Sequence, residues 1–181
     1  DWSSDVCSSD LKGSVTINAD KRSIHTPQDR QTQHQVAKRL WGLIDDLAYT
    51  VEQTTALRDS LKLRMRTIMN NEEQKVLKES IAYLDSLHKH MIAEKSTLFA
   101  DSEDKLREKL AGIYGTINQF AGKPSIEQIK RIDNLEKDLQ SVKHAIQGFY
   151  SNQFGLCNDI IQRSGKKPLT RMSRQEFDAI E

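Results

Sequence analysis

The sequence is poor in the residues that punctuate or staple a chain. Of its 181 residues, three are proline, eight are glycine and two are cysteine, and aromatics make up 6%. Two cysteines, Cys7 and Cys157, exclude the dense disulfide framework of a small secreted scaffold. So few breakers leave room for long helices, and so few aromatics argue against a compact mixed fold. No apolar run approaches the roughly 18 to 20 residues needed to cross a bilayer. The N-terminus lacks a basic start followed by an apolar block, so no signal peptide is read. An excess of one charge is missing too: 27 Lys and Arg face 26 Asp and Glu. They are interspersed rather than gathered into the basic patch of a nucleic-acid binder. What is present is charge in quantity, 29% of residues, on a chain long enough to bury the core of one domain.

Residues 1–11, DWSSDVCSSDL, resemble a translated sequencing adapter and are read as an adapter-derived artefact. Setting them aside leaves Cys157 as the sole native cysteine, with no disulfide to infer. Dropping Asp1, Asp5 and Asp10 leaves 23 acids against 27 bases, a net charge of about +4. In residues 12–25, Val15 and Ile17 alternate with Ser14, Thr16 and Asn18, which predicts one β-strand. A lone strand needs partners, so it reads as the end of a truncated upstream sheet domain.

From residue 26 the pattern is helical. Thr26, Pro27 and Asp29 supply an N-cap, a proline at the first helical position and an acid in the first turn. The stripe behind them is Val36, Leu40, Ile44, Leu47 and Val51, then Thr54 and Arg58 where apolar residues are expected, then Leu61, Met65 and Ile68. It predicts a helix to Met69, roughly 60 Å long. Asn70 and Asn71 make a corner. The second helix carries Leu77, Ile81, Leu84, Met91 and Leu98. Continued unbroken, its repeat would bury Ser102, Lys105, Lys109 and Gly112, yet the apolar stripe restarts at Leu106. The rod is therefore predicted to kink or break near residues 100–102, with Asp101 or Ser102 capping the restart.

Leu106, Leu110, Ile113, Ile117 and Phe120 form the third stripe. Gly122 offers a left-handed helix end, Pro124 blocks continuation, and Ser125 with Gln128 forms a capping box. The fourth helix runs from Ile126 to about Ser164 on Ile129, Ile132, Leu135, Leu139, Val142, Ile146 and Phe149, and Gly165 closes it. The first helix, the second plus third, and the fourth match in length. The expected fold is all-α, an antiparallel three-rod, coiled-coil-like bundle of three to four long helices over residues 26–165, with a broken middle helix and one remnant β-strand before it. Leu47, Leu84, Leu110 and Leu139 belong to its core. Residues 166–181 form a tail with a candidate short helix capped by Ser173 and Glu176.

Candidate chemistry is sparse. His88, His90 and Glu94 are the one cluster of ligand-type side chains. His88 lies about 200° round the helix from His90, so the three do not converge on a metal and read as a solvated face. His25, His34 and His144 are isolated. Asp45 and Asp46, adjacent on a helix, point in different directions and form no acid and base pair. Cys157 has no histidine beside it in sequence and reads as a buried or idle thiol. Gly112 and Gly115 read as close-packing positions. Lys166 and Lys167 suit the negative end of the helix-four dipole. Trp41, Tyr49, Tyr114 and Tyr150 flank the stripes as wide core, and an alternative has Trp41, Thr54 and Arg58 facing another domain. No catalytic, metal or cofactor site is read.

The segment from Leu106 to Gln140, with the later NDIIQRSGKKPL, resembles the C-terminal helical region of the large bacterial sortilin-like proteins with BNR-type repeats, often labelled glycosyl hydrolases. Leu106, Lys109, Leu110, Ile113, Tyr114, Gly115, Lys123, Pro124 and Ser125 match its motifs, and Gly165 to Leu169 match its close with one extra residue. Ala19 to Ser23 is similar to the end of that family's immunoglobulin-like strand, with Lys21 in place of a proline. The loop between helices two and three is shorter here. The resemblance covers roughly residues 15–170 and carries over no functional residue. It implies that residues 12–25 end an immunoglobulin-like domain, that a β-propeller pair precedes it, and that the protein is exported, periplasmic or extracellular. The expected function is a non-catalytic C-terminal helical appendage. It would pack against its own upstream immunoglobulin-like and propeller domains or present a surface to another protein, without nucleic acid or membrane insertion. The alternative is part of a glycoside hydrolase whose catalytic residues lie upstream.

Overall fold

Side-chain caps set where four of the described helices begin. The Thr26 side chain accepts the Asp29 N–H while the Asp29 carboxylate accepts the Thr26 N–H, a closed capping box on a helix that starts with Pro27. Asn70 accepts from the Glu72 and Glu73 N–H groups, and Ser125 with Gln128 and Ser173 with Glu176 close two further boxes. The computed structural model describes residues 14–16, 22–93, 104–120 and 122–180. Its helices are α1 Pro27–Met65, α2 Asn71–Met91, α3 Leu106–Gln119, α4 Ile126–Asn152, α5 Phe154–Arg163 and α6 Arg174–Asp178.

These helices make three antiparallel rods. The 39 residues of α1 are matched by α2 and α3 end to end, 21 and 14 residues, and by α4 and α5, 27 and 10 residues. At one end α1 packs with α3 and α4 around Leu40, Leu43, Leu47, Leu110, Ile117, Ile132 and Leu139. At the other it packs with α2 and α5 around Leu57, Leu61, Leu77, Leu84, Phe149 and Ile160. Leu47, Leu84, Leu110 and Leu139 are buried as expected.

The α1 seam is shifted from the expected stripe. Leu40, Leu43, Leu47, Thr50, Thr54, Leu57 and Leu61 are buried at alternating spacings of three and four, while Ile44, Val51 and Arg58 lie on its half-buried flank. Two rods grip α1 from different sides, so its covered face is wider than one stripe. The seam's polar residues are Thr50 and Thr54, whose hydroxyls donate to the carbonyls of Asp46 and Thr50, both at 2.7 Å.

Other expectations are corrected. No strand forms among the described residues: residues 14–16 have no sheet partner, and Val15 is exposed. An isolated strand leaves its backbone groups to water. The rest of that segment, residues 1–13 and 17–21, lies outside the described residues. So do Glu94, Leu98 and the expected break at residues 100–102 with its cap. The cap of α3 is Lys105, without a side-chain hydrogen bond. The fourth helix is two, divided at Gln153, where the seam demands an apolar residue and the sequence supplies a polar one that turns out to solvent. Phe120 is exposed rather than core.

Gly122 does not end its helix in the left-handed region, which among the described glycines only Gly165 adopts, at φ 74°. A Cβ on Gly122 would meet the His25 ring at 2.6 Å and the Phe120 ring at 2.8 Å, so a larger residue there would have to displace those side chains. Gly165 completes a paired closure of α5, with Lys166 N–H on the Ile161 carbonyl and Gly165 N–H on that of Gln162. Gly112 and Gly115 have no neighbour within 4 Å of a built Cβ, because the seam runs through Leu110, Ile113 and Ile117 instead.

Candidate interaction surface

The most heavily built polar region lies across the middle of α1, where the C-terminal segment folds back onto it. Buried Gln53 donates through Nε2 to the Met172 carbonyl at 2.8 Å, and Tyr49 donates its hydroxyl to the same oxygen at 2.9 Å. Arg174 pairs with Asp45, reaches Asp46 at 3.7 Å and closes on Asp178 at 2.7 Å within its own helix. Asp46 also holds Lys143 of α4 at 2.7 Å. The two adjacent acids, expected to diverge, thus meet on one guanidinium, because its planar fork spans both. The hydrogen bonds that Arg174 donates to Asp45 and then to Asp178 raise its pKa further above the ordinary arginine value. Phe177 meets the Tyr49 ring edge-on with centroids 5.5 Å apart, and Arg174 lies over the Tyr49 ring at 5.5 Å. Phe177 also lines a cleft of about 290 Å³ with Ile44, Leu47, Ala48, Val51 and Ile92 and the charged Glu52 and Arg107.

A second exposed feature is Trp41, 62% accessible, with its ring 6.4 Å from that of Tyr114 on α3. The alternative that grouped Trp41 with Thr54 and Arg58 is overturned for its two polar members. Thr54 is wholly buried in the seam, and Arg58 turns to Asp59 at 3.0 Å and Asp85 at 3.4 Å. Tyr49 is committed to the tail and Tyr150 lies between both core clusters, where burial pushes its phenol up to about 12.

Cys157 is fully buried 3.3 Å from the Ser80 hydroxyl, and burial raises its thiol above the usual range, which keeps it protonated and unreactive. His88 is half-buried and His90 exposed on α2. Among the described residues no group of three His, Cys, Asp or Glu side chains is arranged to hold a metal ion. Lys166 and Lys167 are exposed beyond the end of α5, and the Lys167 carbonyl accepts from Arg64 at 3.0 Å. Gln33 escaped the sequence reading. Buried on α1, it donates to the Ile117 carbonyl at 2.7 Å and to that of Phe120, capping the C-terminal end of α3. Its only signal was a polar residue a heptad before Leu40. No described helix is long and apolar enough to cross a membrane. Models of known families, the curated proteins and the solved structures each yielded no match to the chain.

Proposed function

We propose that this bundle is a non-catalytic helical interaction module, the C-terminal appendage of a larger exported sortilin-like protein with β-propeller and immunoglobulin-like domains. The observation that supports it best is the employment of the acids. Asp45 and Asp46, the one adjacent acid pair on α1, bind Arg174 and Lys143 and so serve to dock the tail and α4. A glycoside hydrolase holds two carboxylates roughly 5 to 10 Å apart across a cleft, free to trade protons with substrate. Here the two are consecutive and tied to cations. The larger context rests on the resemblance alone, carried by Leu106 to Ser125 and Gly165 to Leu169.

The test uses residues 12–181 and the intact protein on one glycoside panel. The module reading expects the bundle to be inert and to bind the separately produced upstream domains. Turnover by the bundle itself, lost when Asp45, Asp46 or Glu94 is neutralised, would sink it. Turnover confined to the intact protein would place the catalytic residues upstream and leave the module reading standing.

A further inference from the structure

We propose that the α1 face formed by Asp45, Asp46, Tyr49 and Gln53 is a docking site for a short peptide carrying an arginine and, three residues on, an aromatic, and that the chain's own C-terminal segment is its resident occupant. The inference rests on the interaction reading and names the partner chemistry of that surface.

Three kinds of contact converge there. Gln53 and Tyr49 grip a main-chain carbonyl, that of Met172, and such a clamp recognises any peptide regardless of side chain. The two carboxylates recognise a guanidinium through its fork, as they do Arg174. The Tyr49 ring takes an aromatic, as it does Phe177, which lines the mostly apolar cleft beside it. Arginine and aromatic three residues apart share one face of a helical turn, so both reach α1 together.

The occupant is held in a way that permits exchange. α6 contributes no buried residue, and the Arg174 to Asp45 pair is 39% and 41% accessible at its two side chains. The last buried anchor is Leu169, whose N–H donates to Asn158 at 2.6 Å. Beyond it the segment lies on the surface. A tethered ligand competes at the high effective concentration its linker imposes, so a free peptide gains the site once the tethered copy is weakened.

The probe is a fluorescently labelled peptide of residues 168–180, titrated into the full chain and into its Arg174→Ala/Phe177→Ala variant and read by polarisation. The variant should bind at least tenfold tighter than the wild-type chain. Adding Asp45→Asn/Asp46→Asn to it should remove that gain, and a peptide lacking its own arginine and phenylalanine should not bind. Equal binding to wild type and variant, or a gain that survives loss of both acids, overturns the proposal. Should the double variant lose helix by circular dichroism, Arg174→Lys provides the same comparison with a smaller expected gain. Because only the isolated chain is used, a failure here is distinct from a failure to bind upstream domains.

Discussion

Tyr150 shows what one atom can cost. Its hydroxyl is buried without a hydrogen-bond partner among the described residues, while its ring meets Phe149, Phe154 and the Arg171 guanidinium at 4.5 Å. Removing an unsatisfied hydroxyl relieves its desolvation cost, so Tyr150→Phe is expected to raise stability by about 1 kcal/mol at neutral pH in urea melts. The same burial raises the folded phenol to about 12 from its ordinary value near 10. The unfolded chain therefore ionises first. Stability is independent of this group's titration below about pH 10 and falls as pH rises from there through about 12, and Tyr150→Phe should flatten that alkaline decline. Cys157 shifts in the same direction for the same reason, burial. At Leu110 and Leu139, both wholly buried, substitution by Asp places an unpaired charge in the core. Each should cost about 4 kcal/mol or more, and a variant melting like the parent by circular dichroism would contradict the seam.

Among the elements, stability is decided at the ends. The Ser125 box starts α4 and the left-handed Gly165 ends α5. Ser125→Ala and Gly165→Ala should each lower stability by about 1 kcal/mol, the first by unmaking a cap and the second by straining the backbone. Gly112 is the contrast. It sits mid-helix with open space where a Cβ would go, so Gly112→Ala should raise stability by about 0.5 to 1 kcal/mol. For a chain of this size, 1 kcal/mol corresponds to about 2 to 4 °C in thermal melts. A lowered Tm for Gly112→Ala would mean that something packs on that face of α3.

At the scale of the whole molecule, two apolar clusters sit along one rod, with Thr50, Gln53 and Thr54 between them on α1. That polar stretch is where the C-terminal segment docks, with Gln53 reaching outward to Met172 and the threonines turned back on their own helix. Residues 1–11, read as adapter-derived, lie outside the described residues. A chain beginning at Lys12 should melt within about a degree of the full one; a markedly lower melting point would show that the leading residues dock.

Helix type, the capped helix starts and many seam leucines were legible from periodicity and caps, because these depend on neighbours within a turn or two, whereas the first helix, expected to reach Met69, ends at Met65. Thr26, Ser125 and Ser173 act on backbone groups three residues away, so their roles follow from local spacing, and Asn70, expected only as a corner, caps α2 in the same way. What required tertiary structure was anything set by a second rod. The burial of Leu43 and Leu57 in place of Ile44 and Arg58 follows from α1 being gripped on two sides. The convergence of Asp45 and Asp46 depends on Arg174, 129 positions from Asp45, and the space left at Gly122 depends on the His25 ring. Such pairings leave no periodic trace, since they are made between segments whose relation is that the corners, among them residues 66–70, 122–125 and 164–168, fold them onto one another.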